Sequence, residues 1–164
     1  MDALGLGNSF VSAKGEVSNP FPSSVQLVGV YFSAHWCPPC RGFTPVLADV
    51  YNKVNASGKV FEVVFVSCDN DDASFKNYLA SMPWIALPFG NELSNQLSDR
   101  FNVSGIPRLV LLLPDGSVAQ DNARNLITSK GADFFNEVIN TKPKPAVDPV
   151  LWQQIVKGAT VQTK

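Results

Sequence analysis

Charge is scarce in this sequence. Asp, Glu, Lys and Arg together make up 16% of its 164 residues, and the formal net charge is −1. A balance so near neutral argues against a general electrostatic grip on nucleic acid or an anionic membrane, so partners must be chosen by local surface. Long apolar runs are lacking too: Val25 to Phe32, the longest mostly apolar stretch, is far too short to span a bilayer. The opening residues, Met1-Asp2-Ala3-Leu4-Gly5, show no basic run leading into an apolar one, so no secretory signal is expected. Histidine occurs once and cysteine three times. Three cysteines do not make the disulfide framework of a small secreted fold. A reducing compartment follows as the default, the cytoplasm with the nucleus also open, where a close cysteine pair is more often catalytic or metal-binding than structural.

Apolar residues account for 45% of the chain, enough for one folded core. Phe10-Val11 and Glu16-Val17 flank Lys14-Gly15 and predict a short N-terminal hairpin. Leu27 to Phe32 and Val60 to Ser67 read as buried strands, and Arg108 to Leu113 as a third. Between the first two, Phe43, Val46, Leu47, Val50, Tyr51 and Val54 recur at helical spacing from about Pro38 to Ser57-Gly58. Pro45 lies inside that helix and should bend it by removing one internal hydrogen bond. Asp71 and Asp72 open a further helix, Leu93, Leu97 and Phe101 mark another, and Pro114-Asp115-Gly116 turns into a paired strand at Val118. A last helix is expected from about Thr128, with Phe134, Phe135, Val138 and Ile139 on its buried side. The order predicts an α/β fold with a central mixed sheet and helices on both faces. One domain is expected over 1–141. Lys142-Pro143-Lys144-Pro145 then reads as a linker, and a tail helix is expected from Asp148-Pro149 within 142–164.

Trp36-Cys37-Pro38-Pro39-Cys40 falls where a buried strand passes into the first long helix. A cysteine at a helix N-terminus meets unpaired N–H groups and the positive end of the macrodipole, which favour thiolate. Cys37, just before the helix, should therefore be the exposed nucleophile. Cys40, on the first turn, points inward and can reach back. Pro38 and Pro39 stiffen the loop between them, and Arg41 would add to the effect if it lies close. This arrangement suits dithiol–disulfide exchange. A zinc site needs about four ligands, and His35 is poorly spaced to share one with the pair. A structural disulfide is disfavoured in a reducing compartment.

The stretch VGVYFSAHWCPPCR from Val28 to Arg41 resembles nucleoredoxins and tryparedoxins of the thioredoxin superfamily. The likeness continues at Phe61 to Ser67, at Met82 to Phe89 and at Phe101 to Pro107, in family order over roughly residues 25 to 125. It implies a thioredoxin fold and protein-disulfide reductase activity with no cofactor. It implies that Pro107 is a cis-proline facing the cysteines, beside which Ile106 backbone groups pair with a substrate strand. It also implies disulfide-containing protein partners, peroxiredoxins among them, and electrons from a reductase or a low-molecular-weight dithiol. A monomer is expected. Nucleoredoxin-like proteins also hold partners in a redox-dependent way, so a docking module is the alternative to an enzyme.

Departures from the family matter. Ordinary thioredoxins carry a buried aspartate six residues before the first cysteine, where this chain has Tyr31. Asp69, Asp71 and Asp72 are the candidates to stand in for it through water, but capping a helix and facing solvent is the favoured reading. Arg108 replaces the family's usual threonine after Pro107 and would add charge beside the cleft. Trp36 is expected to shield the disulfide and offer substrates an apolar patch, and Trp84 to pack inside. Cys68 reads as an inert small hydrophobe, a redox-regulated thiol being the sharper alternative. His35 is expected at the surface beside the cysteines, and Arg124 in solvent.

Overall fold

The computed structural model describes residues 4–7, 9–17 and 20–141. The expected linker and tail helix lie outside the described residues. Seven strands form one sheet: β1 (Phe10–Ser12), β2 (Gly15–Val17), β3 (Leu27–Ser33), β4 (Phe61–Ser67), β5 (Ile85–Ala86), β6 (Arg108–Leu112) and β7 (Val118–Gln120). Their order is β2-β1-β5-β4-β3-β6-β7. β3 pairs parallel with β4 and antiparallel with β6, and the N-terminal hairpin covers the β5 edge. The sheet is therefore mixed, as its sequence order predicts.

Strand alternation divides the core between two faces. Leu27 and Tyr31 of β3, with Phe61, Val63 and Phe65 of β4, point to one face. There they pack against α1 (Pro38–Val54), α2 (Asp72–Leu79), α4 (Arg124–Lys130) and α5 (Phe134–Thr141). Val28, Val30 and Phe32 point the other way, towards Leu97 of α3 (Leu93–Arg100) and the N-terminal Leu4, Leu6 and Phe10. With both faces covered, every residue of β3 is buried, which is why that run lacks polar alternation.

Two helix boundaries differ from expectation. The first helix ends at Val54, short of Ser57-Gly58. Asn55 turns its side chain to the start of β4, accepting the Val60 and Phe61 N–H groups and donating to the Phe61 carbonyl. That pairing competes with another helical turn. Upstream, α1 runs on through Pro45, which is exposed, so the carbonyl left without an internal partner lies towards water. The expected single C-terminal helix is two: α4 and α5 are separated at Gly131, whose φ of 58° stops the first.

This topology fixes where a site can form. β3 and β4 run parallel with Ser33 opposite Ser67, so the segments leaving their C-terminal ends emerge together. β6 runs the other way with Arg108 opposite Phe32, so residues 106–107 enter at the same end. Open α/β sheets bind ligands at such carboxyl ends.

Candidate active site

Cys37 is the N-cap of α1, with extended backbone (φ −97°, ψ 109°), and its Sγ accepts the Cys40 N–H at 3.3 Å. Pro38 and Pro39 occupy the first helical positions, where a missing N–H sacrifices no helical bond. The Cys37 carbonyl accepts Arg41 N–H at 3.0 Å, and its own N–H donates to Ala34 at 3.2 Å. The two sulfurs are thus gathered by one turn of backbone, as the motif predicts. Both are free thiols in this structure.

The expected exposed nucleophile is corrected by the structure. Cys37 is only 5% exposed and Cys40 fully buried. Ala34, Ile106 and Cys68 pack around the pair and cover it from the ends of the three central strands. What stands outside is the rim: Trp36 is 54% exposed, and His35, Pro38, Pro39 and Arg41 are exposed too. The Trp36 indole N–H donates to the Cys68 carbonyl at 3.0 Å, so the ring is tethered although it faces solvent. Burial pushes the Cys40 thiol up to about 11; the Cys37 hydrogen bond adds to the rise, while the Ser33 hydroxyl opposes it. Burial also raises the Cys68 thiol, helped by the charge of Asp69, in keeping with an unreactive side chain.

Asp69 departs from the expected solvent-facing cap. It is 8% exposed, accepts the His35 backbone N–H at 2.7 Å and the Ser67 hydroxyl at 2.7 Å, and so ties the loop before Cys37 to the end of β4. Asp71 does cap α2, accepting Ser74 N–H at 2.7 Å, and that bond lowers its pKa. Asp72 pairs with Lys76 on the same helix.

The Ile106–Pro107 peptide is cis, as the resemblance implies. Arg108, read as free charge beside the cleft, is instead a fastener. Its guanidinium reaches the Asp121 carboxylate at 2.7 Å, the Asp121 carbonyl at 3.0 Å and the Phe101 carbonyl at 3.1 Å. Trp84 is buried among Tyr31 and Tyr51, as expected. Arg124 is half-buried at the start of α4.

Sequence reasoning missed Ser33, Thr44 and Tyr78. Thr44 Oγ1 lies 2.6 Å from both Tyr31 Oη and Tyr78 Oη, and Tyr78 Oη lies 2.8 Å from Ser33 Oγ. Only Thr44 carried a local signal, being one helical turn beyond Cys40. Among the described residues, no group of three or more His, Cys, Asp or Glu is placed to hold a metal ion. Nor is any helix among them long and apolar enough to cross a membrane.

A family profile described as thioredoxin-like matches residues 25–118. The chain belongs to the thioredoxin-like family. Its dithiol, strand order and cis-proline are accordingly those of a thioredoxin-fold oxidoreductase. This thioredoxin-like chain is 47% identical over 106 residues to probable nucleoredoxin 1 of Arabidopsis thaliana, covering 65% of itself and 18% of that protein. It is 42% identical over 139 residues to probable nucleoredoxin 2 of Oryza sativa subsp. japonica, covering 80% and 35%. It thus spans between about a fifth and about a third of the length of these curated relatives. Among solved structures it is similar to tryparedoxin from Trypanosoma brucei, with 40% identity, a TM-score of 0.69, and coverage of 82% of this chain and 92% of that one.

Proposed function

We propose that this chain reduces protein disulfides by dithiol–disulfide exchange, with Cys37 as nucleophile and Cys40 as resolving thiol. The observation that carries the reading is the pair of free thiols on one turn at the start of α1, with the Cys40 N–H on Cys37 Sγ. Cys37 thiolate attacks one sulfur of the substrate disulfide, and the other leaves as thiolate. Cys40 thiolate then attacks Cys37 Sγ. The Cys37–Cys40 bond forms, the bond to substrate breaks, and the second substrate sulfur takes up the proton that Cys40 gave up. The protein dithiol is oxidised by two electrons and the substrate disulfide reduced.

Trp36, Ile106 and Pro107 form the substrate platform in this reading. The exposed indole supplies apolar surface, while Ile106 packs in the same cluster as both cysteines. Pro38, Pro39 and Arg41 support the turn. Substrates are disulfide-containing proteins, with peroxiredoxins a candidate class, and the electron donor is a reductase or a small dithiol. The chain acts as a monomer in the cytoplasm or nucleus, with its redox domain ending near residue 141.

The test is dithiothreitol-driven reduction of insulin disulfides. Wild type should turn over, Cys37→Ser should be inactive, and Cys40→Ser should accumulate a mixed disulfide. No rate above dithiothreitol alone would overturn the reading. Partner capture that survives loss of both cysteines would favour a docking module.

A further inference from the structure

The outward side of α1 changes character along its length. A helix packed on a sheet turns charged and polar residues to water, and the far half of α1 obeys. Asp49, Asn52 and Lys53 are exposed there, with Asp49 and Lys53 paired at 3.0 Å. The half nearest the dithiol does not. Arg41 apart, its exposed residues are Pro38, Pro39, Gly42, Pro45 and Val46, and the chain carries no charge from Gly42 to Ala48. Gly42 and Pro45 are also poor helix formers in the body of a helix, so helix stability does not account for this face.

Among the described residues three large apolar side chains are exposed: Trp36, Val46 and Val118. Val118 lies on the edge strand β7 opposite Leu112, which in turn faces Val28, at the end of the sheet away from the cysteines. Trp36 and Val46 instead flank the dithiol, the indole tethered to Cys68 just past β4 and the valine along α1. We infer that Pro39, Gly42 and Val46 form a docking strip for the protein substrate, one that selects disulfides bordered by apolar, uncharged protein surface. The inference rests on the exchange reaction proposed above.

Position says what covers the strip. In the mixed disulfide the substrate is bonded to Cys37 Sγ, the N-cap of α1, so its surface must lie over that end of the helix. Val46 follows Cys37 by nine residues, about 13–14 Å along the axis. A contact of standard size buries about 800 Å² on each partner, a disc about 16 Å in radius. Centred on Cys37, that disc takes in Val46 and leaves Asn52, about 22 Å along the helix, outside. The uncharged stretch thus ends where substrate cover ends. Pro39, Gly42 and Val46 recur at helical spacing on one line. Gly42 keeps that line low, since a Cβ added there would meet nothing outside its own turn within 4 Å. A small disulfide reaches Cys37 without touching Val46, so the strip acts on protein substrates alone.

The experiment gives the full-length chain two disulfides: insulin, with dithiothreitol as reductant, and the small dithiobis-nitrobenzoate, mixed with the reduced chain. Val46→Lys and Gly42→Gln should each raise KM for insulin roughly tenfold, the scale of one side chain at the centre of a contact. Both should leave kcat and the rate with dithiobis-nitrobenzoate near wild type. Val46→Leu should keep the wild-type KM, and so should Asn52→Lys, which adds the same charge beyond the strip. Thermal melts of each variant report folding separately. A wild-type KM for insulin in folded Val46→Lys and Gly42→Gln overturns the strip. Equal losses on both disulfides would place the effect on the dithiol itself and overturn it too. A wild-type dimer that Val46→Lys dissociates would assign the face to a second copy of the chain instead. A wild type that reduces no insulin overturns the exchange reading itself, and the strip falls with it.

Discussion

The carboxylate of Asp69, at the end of β4, accepts the backbone N–H of His35 at 2.7 Å and thereby clamps the loop that leads into the dithiol. The clamp spans two neighbouring parallel strands whose C-terminal ends are already in register at Ser33 and Ser67. It holds the approach to Cys37 from outside the motif.

Removing the clamp should cost stability and activity together. Asp69→Ala leaves the His35 N–H and the Ser67 hydroxyl without that acceptor, a loss of about 1.5–3 kcal/mol for hydrogen bonds to a charged group. Asp69→Asn keeps one acceptor oxygen and should lose less. Denaturant midpoints rank the two, and equal midpoints for wild type and Asp69→Ala would dismiss the clamp.

Arg108 and Asp121 form an ion pair of unequal partners. The arginine side chain is 12% exposed and serves three oxygens, whereas the Asp121 side chain is 76% exposed and contributes one of them. Arg108→Ala should therefore destabilise by about 1–3 kcal/mol, and Asp121→Ala by less than about 1 kcal/mol, in the range of exposed pairs. Chemical unfolding of the two variants decides it, and equal losses would contradict the assignment.

Cys40 carries a signed pH dependence. Its thiol is raised to about 11, chiefly by burial, so the native dithiol holds that proton after the unfolded chain has begun to lose its own. The unfolded state then binds fewer protons, and stability of the reduced protein should fall as pH rises from about 9 towards 11. Thiolate absorbance of the reduced protein should show a step near the upper end of that window, absent in Cys40→Ser. A step close to the ordinary thiol value would refute the shift.

Gly29 sits in the middle of β3, where added bulk has nowhere to go. A Cβ there would lie 2.9 Å from Leu109 Cδ1, with Phe61 and Leu111 at 3.5 and 3.6 Å. Gly29→Ala should cost about 1–3 kcal/mol through overpacking. A thermal melt unchanged from wild type would mean that Leu109 shifts freely.

The fold was legible because its signals are local. Nearly continuous Val and Phe mark β3 and β4, helical spacing marks α1, and Asp71 announces the cap of α2. The boundaries missed were those set from a distance, such as Asn55 turning to β4, or by one backbone angle, as at Gly131. The cysteine turn was legible for the same local reason: a Cys-Pro-Pro-Cys run at a strand–helix junction gathers both sulfurs within one turn. The rest of the site was not, because its contacts join distant parts of the chain.

Strand and helix order, the place of the dithiol and the family likeness follow from local sequence, since each depends on residues within a few positions of one another. Tertiary structure decided what each polar side chain does. Ser33 and Tyr78 stand 45 residues apart, so no spacing within one strand or helix pairs them. Only the packing of α2 beside α1, against the face of the sheet that Tyr31 occupies, brings the four hydroxyls together beneath Cys40. Arg108 likewise became a fastener, and Cys37 a covered thiol, because the partners of a buried group are set by which strand ends meet. Spacing along one strand or helix does not specify that meeting.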